Sequence, residues 1–479
     1  MTEYGPASRI VIVGGSIAGL TAARELRAGG FRGALTVVDR DPQSPYRRPE
    51  VSKKLLTEQL RGRTRLNWPA ELRVELVPAS VEALDLPRRV LTLAGRPATA
   101  GLPFDGLVIA SGARARKPAF GAGGGAGAGG GGGVGGGGAG DGGSGGGSAG
   151  GGESAGGSGG AGVGDDDAGH DGVHWLRSAS DAARLRPALA RGRRLCVVGG
   201  GLIGLEVAAL AVSLGKQAVV VEAARLPMLA VLGAEPAAAL LRMLEARGVS
   251  FRLGATVTGI ADGAGIEGAA GRLAGDRTTG ERTTSDRTTS DRTTWDRTTW
   301  VQLAGGEDIA ADVVLIAVGA APETGWLAGN GLDLTDGVRC DDHCAVIGAA
   351  GVVACGDVAS WFNPLLRRQM RVEHWTNAIE QGSYAARRLL GTHPPGGFAS
   401  LPYFWSDQGD LKLQMLGSGE GHDEVVVLES GAATLLAEYR SAGRLLAVAG
   451  INAGAAVMAR RAEIAAAYQQ HSLADIGLG

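Results

Sequence analysis

Two stretches that share one grammar, and a run of short strands near the C-terminus, predict an α/β protein of two doubly wound units closed by an α+β module. In each stretch a β-branched strand runs into a glycine-rich turn, an amphipathic helix and a second strand. At 479 residues the chain is long enough for about three domains, each with its own core.

The first unit opens with RIVIV (Arg9–Val13), turns at GGSIAG, continues as the helical LTAARELRAGG and ends in the strand ALTVVD. The grammar returns in RLCVVGGGLIGLEVAALAVSLGKQAVVVEA, from Arg194 to Ala223. Between the two lies a stretch of Gly, Ala, Ser and Asp that supplies nothing for a core; we expect residues 121–168 to be a disordered surface insertion. A second insertion, residues 276–300, repeats a five-residue unit (DRTTG, ERTTS, DRTTS, DRTTW, DRTTW). That period is too short for a solenoid, so we expect a solvated loop extending a hairpin, with Trp295 and Trp300 as its one contact candidate. From Tyr403 onward short strands (VVVLES, TLLAEYR, RLLAVAGINA) precede one helix-like stretch, AAVMARRAEIAAAYQQ.

Composition narrows the function. Lys plus Arg (47) nearly balance Asp plus Glu (49), which excludes the global positive field that nucleic acid or an anionic membrane selects. The one stretch that imitates a membrane span, Leu195 to Leu214, carries Glu206 and a cluster of glycines. Four sparse cysteines, and an N-terminus (MTEYGPASR) with no basic region before an apolar run, lead us to expect a reducing, cytoplasmic setting. Cys340, His343 and Cys344 crowd one short loop without a distant fourth ligand, so no metal is expected.

The glycine turns carry the chemistry. Such a turn brings backbone N–H groups and the positive end of a helix to a pyrophosphate, which makes both units Rossmann-like dinucleotide binders. Gly14 and Gly19 fit the first and third glycines, with Gly15 and Ala18 between them and Ser16 at the middle position. Twenty residues on, Asp39 ends the next strand, placed to accept from ribose hydroxyls. In the second unit Gly199, Gly201 and Gly204 complete the pattern, Leu202 and Ile203 open its helix, and Glu222 closes its second strand. A carboxylate there accepts from a ribose 2′-hydroxyl and repels a 2′-phosphate, so it predicts NAD(H), with Arg225 nearby as the dissenting charge.

Which unit takes which nucleotide comes from other segments. LVIASGA (Leu107 to Ala113), GLIGLE, GAAPET (Gly319 to Thr324) and ACGDVA (Ala354 to Ala359) resemble the pyridine-nucleotide flavoprotein reductases. PYRRPEVSK (Pro45 to Lys53), VEHWTNAIEQG (Val372 to Gly382) and YFWSDQGDLKLQ (Tyr403 to Gln414) resemble, more narrowly, the ferredoxin reductases that serve bacterial oxygenases, the group of putidaredoxin and rubredoxin reductases. The resemblance implies FAD in the first unit. Its contacts would be the first turn, Asp39, Arg40, Arg48, Lys53, Val81, Ala110, Gly112, Arg177, Gly356, Asp357 on the ribityl chain, and Trp375 beside the isoalloxazine. It implies NAD(H) in the second unit, with Gly319 among its contacts and Glu206 near the nicotinamide carboxamide. Family members place the ribose acid where this chain has Arg40, and often have Asp where it has Arg47.

The implied division is an FAD domain in two parts (1–120 and 323–398), an NAD domain (169–322) and a C-terminal α+β interface domain (399–479). The implied reaction is transfer of hydride from NADH to flavin and of single electrons to a small acidic ferredoxin. No side-chain acid or base is required, and Lys53, Glu206 and Trp375 play supporting parts. Arg367, Arg368 and Arg371, in what reads as the loop LLRRQMR, are candidates for a basic docking patch. No nucleic acid or membrane partner is expected, and the assembly is a monomer or homodimer. The absence of a CxxC or CxxxxC pair excludes a disulfide reductase. Two other readings stay open: an NADH oxidase or a quinone or dye reductase with a diffusible acceptor, and a redox-responsive binding flavoprotein like the apoptosis-inducing factors.

Overall fold

The computed structural model describes residues 4–58, 64–118, 172–262 and 298–475, so the insertion expected at 121–168 and most of the repeat lie outside the described residues. The strand Arg9–Val13 stands at the centre of a five-stranded parallel sheet. On one side are Ala34–Asp39 and Glu75–Pro78, on the other Gly106–Ile109 and then Val352–Ala354, which arrives from far along the chain. Ile10 to Val13 are all buried in one hydrophobic core, which is why the strand reads as an unbroken apolar run. The helices Ile17–Ala28 and Trp375–Leu390 cross in contact. A Cβ at Gly382 would lie 2.6 Å from the Ala18 carbonyl oxygen, so the crossing requires glycine there.

The second parallel sheet repeats this order with Arg194–Val198 at its centre. Gln217–Glu222 and Val249–Leu253 lie on one side, Val313–Ile316 and Val173–Trp175 on the other. Its helix Leu202–Ser213 is apolar nearly all round, because it packs both on that sheet and on the strand Tyr403–Gln408 of a third sheet. The stretch that imitated a membrane span is thus a strand, a turn and a core helix. Among the described residues no helix is long and apolar enough to cross a membrane.

The third sheet is antiparallel, in the order Tyr403–Gln408, Leu411–Gly417, Arg444–Ile451, Leu435–Ser441 and Glu424–Ser430. Three expectations need correction. The single C-terminal helix is two, Gly454–Ala459 and Arg461–Asp475, broken at Arg460, whose guanidinium reaches the buried Glu438 at 2.8 Å. The last residues of the DRTT repeat are not loop. Thr299 and Trp300 begin the strand Thr299–Leu303, where alternation puts Thr299 in the core, paired between Val257–Asp262 and Asp308–Ala311. LLRRQMR is not a loop throughout either, for Arg368–Arg371 pairs with Ala359–Asn363 as a hairpin.

Candidate functional site

The two turns are built alike, down to the atoms that forbid a side chain. Gly14 has φ 106°, and a Cβ there would lie 2.1 Å from the Ala110 carbonyl oxygen; Gly199 has φ 108°, and its Cβ would lie 2.5 Å from that of Ala317. Helix meets strand just as closely, with a Cβ at Gly19 falling 1.9 Å from Gly14 O and one at Gly204 falling 2.1 Å from Gly199 O. These glycines are dictated by the protein's own packing. The middle position is different, since a Cβ at Gly201 meets no atom within 4 Å. Ser16 therefore costs the first unit nothing, and its hydroxyl accepts from Arg48 Nε at 2.9 Å. Neither following helix has a side-chain cap, which leaves its first N–H groups facing the turn for an anion.

Asp39 and Glu222 pin these turns. Asp39 accepts from Gly15 N at 2.7 Å and Asp41 N at 2.9 Å; Glu222 accepts from Gly200 N at 2.6 Å and Ala224 N at 2.8 Å. Each carboxylate oxygen keeps a further lone pair, which a ribose hydroxyl can use. Arg40 turns to Glu323 at 3.1 Å, and Arg225 is exposed.

Beyond the first turn the chain gathers polar groups from distant segments. Arg177 pairs with Asp357 and donates to Ala113 O at 3.0 Å, while Arg48 donates to Arg177 O at 3.2 Å and lies 5.5 Å over the Tyr46 ring. Gly356, at φ 75°, donates to Gln381 Oε1 at 2.9 Å. Gly112 has φ 72°, and Ala110 beside it is buried. Trp375 is half-buried as the first residue of the helix Trp375–Leu390. His374 before it packs on the Phe404 ring at 5.3 Å. Burial pushes the His374 imidazole down to about 4, with Asp357 offsetting only part. Val81 starts a strand of a separate three-stranded sheet, partly buried against the first core. Gly319, at φ 97°, follows the strand Val313–Ile316 of the second sheet.

Glu206, 5% exposed, meets Lys53 Nζ at 2.8 Å. It also accepts from the Ser52 hydroxyl, from Ser406 Oγ at 2.7 Å and from Asp407 N at 3.1 Å, so three segments far apart in the chain converge on one buried carboxylate. A cleft of about 740 Å³ opens beside it, lined by Lys53, Glu206, Arg247 and Asp407 among others. Ser52, Ser406, His374 and Tyr46 were not singled out from sequence. Only Ser406 left a signal, as the polar member of the buried face Phe404, Ser406, Gln408.

The basic patch is corrected. Arg371, 11% exposed, is paired with Asp336 at 2.8 Å and Glu373 at 2.6 Å and donates to Asp357 O at 3.0 Å. Arg368 is paired with Glu420, and Arg367 has contacts of its own. The charges of Arg368 and Arg371 are spent within the molecule. Cys340 and Cys344 are buried, His343 Nδ1 bonds Tyr384 Oη at 2.7 Å, and no cluster of three His, Cys, Asp or Glu among the described residues could hold a metal.

The first unit fits a dinucleotide carrying a polar ring system. The turn admits an anion, the following strand ends in a carboxylate, and His374 Nδ1 and Asn377 Oδ1 are buried without a partner among the described residues. Comparison with known proteins agrees. The model of the pyridine nucleotide-disulphide oxidoreductase family matches residues 8–140 and 155–382, and that of the reductase C-terminal family matches residues 403–477. The chain is 31% identical to the ferredoxin reductase component of chlorobenzene dioxygenase from a Cupriavidus species, over 98% of this chain and 96% of that one. It is 30% identical to the ferredoxin–NAD(+) reductase component of the anthranilate 1,2-dioxygenase system of Burkholderia cepacia, over 96% and 95%. Among solved structures, the ferredoxin reductase for the CYP199A2 system from Rhodopseudomonas palustris matches with a TM-score of 0.72 at 25% identity, covering 95% of this chain and 93% of that one.

Proposed function

The chain belongs to the pyridine nucleotide-disulphide oxidoreductase family, and from that premise we propose that it is an FAD-dependent NADH:ferredoxin reductase whose acceptor is a small acidic iron–sulfur protein feeding an oxygenase. The observation that carries this reading is the duplication of one turn geometry, Gly14 with Asp39 and Gly199 with Glu222, in a chain whose relatives are ferredoxin reductase components of dioxygenases. When bound, FAD accepts a hydride from reduced nicotinamide and releases its two electrons singly.

The chain's own residues bind and orient. Gly14, Gly15, Ser16, Ala18 and Gly19 would hold the FAD pyrophosphate with Arg48 adding positive charge, and Asp39 would take the ribose. Asp357, steadied by Arg177 and Arg371, would meet the ribityl chain. Trp375 would cover the ring and exclude water. Gly199, Gly201, Leu202, Ile203 and Gly204 would cradle NADH with Glu222 on its ribose. Lys53 holds Glu206 in place, and Gly319 leaves space for the nicotinamide end. The free, buried cysteines support a reducing compartment, and we place the enzyme in the cytoplasm.

The test is cytochrome c reduction with NADH and a panel of acidic ferredoxins. Turnover should depend on added ferredoxin and fall with salt. Equal turnover with oxygen, quinone or dye and no ferredoxin would favour a diffusible acceptor.

A further inference from the structure

His374 is the N-cap residue of the helix Trp375–Leu390, in extended backbone at φ −112° and ψ 138°, yet its side chain makes no capping bond. Its Nδ1 is buried and has no partner among the described residues. An unmade bond of this kind is costly, so a buried imidazole nitrogen normally has a partner.

The surroundings narrow what that partner is. Phe404 packs on the ring and contributes no polar atom. Arg177 and Arg371, which brace Asp357 close by, carry donors only, and those donors are directed to Ala113, Asp357, Asp336 and Glu373. Three residues along the same helix face, Asn377 has its Oδ1 buried and unpartnered, while its Nδ2 lies 3.4 Å from Gln381 Oε1, which holds Gly356 N. Three buried polar atoms without a partner among the described residues, His374 Nδ1, Asn377 Oδ1 and Gln381 Nε2, thus sit on the helix face that packs on the Gly356–Val358 turn, beside the half-buried Trp375.

We propose that the partner of His374 Nδ1 is a polar atom of the bound flavin ring system, which makes His374 a cofactor-contacting residue that fixes the ring against Trp375. The proposal rests on the assignment of FAD to the first unit. A flavin ring edge offers carbonyl oxygens and an N–H, so either neutral tautomer of the imidazole finds a match. Because burial keeps that imidazole uncharged at neutral pH, the contact adds a hydrogen bond and no charge beside the ring.

The experiment measures release of FAD from purified holoenzyme on dilution, by recovery of free-flavin fluorescence, together with the position of the bound flavin's visible band. His374→Phe keeps a ring against Phe404 and removes Nδ1; release should quicken about tenfold and the band should move. His374→Asn places an amide where Nδ1 stood, and its release should stay within about threefold of the parent. If the Phe variant does not fold, as judged by circular dichroism, His374→Gln takes its place. Its longer amide overshoots the Nδ1 position, and it should release FAD as fast as expected for Phe. Release at the parent rate from the Phe variant overturns the proposal, as does equally fast release from Phe and Asn variants that are both folded. A parent protein that is colourless and takes up no FAD defeats the reading of the first unit instead, which keeps the two failures apart.

Discussion

Lys53→Met should be among the most damaging single changes outside the glycine turns. Among the described residues it removes the only cation within ion-pair distance of Glu206, a carboxylate 5% exposed, and leaves that charge to three neutral donors: Ser52, Ser406 and Asp407 N. Stranding a buried charge costs about 3–5 kcal/mol. The remaining donors, each contributing about 1 kcal/mol, and the 18% exposure of Lys53 place the loss near the lower end, about 3 kcal/mol. Glu206→Gln should cost less, about 1–2 kcal/mol, because Lys53 keeps Pro49 O at 3.0 Å and Asp407 at 3.9 Å and can turn to water. The double variant removes both charges and should cost about 1 kcal/mol, which gives a coupling of about 3–4 kcal/mol. Urea unfolding of the four proteins, followed by circular dichroism, measures that coupling. If the double variant loses the sum of the single losses to within about 0.5 kcal/mol, the pair does not interact and the convergence of distant segments on Glu206 has no energetic meaning.

The turns should fail separately. Gly19→Ala drives a Cβ onto Gly14 O and should yield protein that retains little FAD, whereas Gly204→Ala drives one onto Gly199 O and should leave a yellow protein that dithionite bleaches and NADH does not; absorbance spectra read both. Gly201→Ala meets no protein atom, so its folding should match the parent's and any change should appear in the KM for NADH. His374 makes stability depend on pH. The unfolded state takes its proton near 6.5 and the folded state only near 4, so the unfolded state binds more protons in that window and stability falls as pH falls through it, by about 3 kcal/mol in total. Urea midpoints of the parent, less those of His374→Asn, should show that slope; a flat difference would contradict it. Arg368→Ala should loosen the hairpin's contact with Glu420 and Ser418 and lower the thermal midpoint, while the apparent KM for ferredoxin stays the same.

What could be seen in the residues was what local geometry controls. Gly19 is constrained by the carbonyl of Gly14 in the same turn, and the strands beside them declare themselves as apolar runs, so both parallel sheets and the strands of the third sheet follow from pattern. Glu206, an acid inside an apolar helix, needs a partner, and Lys53 is the cation that meets it. Ser52 and Ser406 could not be, because they stand 154 and 200 positions away and nothing in their neighbourhoods announces the contact. The arginines of LLRRQMR were misread for the same reason. A run of positive charge does not disclose that Asp336 and Glu420 fold across to meet it. Repetition misled at Thr299, where a two-residue alternation overrides a five-residue repeat at the strand's first turn.

The central claim, that one cradle holds a flavin and the other delivers NADH to it, is tested most directly by anaerobic titration of the purified protein with NADH. The account predicts a yellow protein whose visible band bleaches with about one equivalent of NADH per flavin. A protein that stays colourless after incubation with FAD, or a yellow one that dithionite bleaches while excess NADH leaves the band untouched, would contradict it.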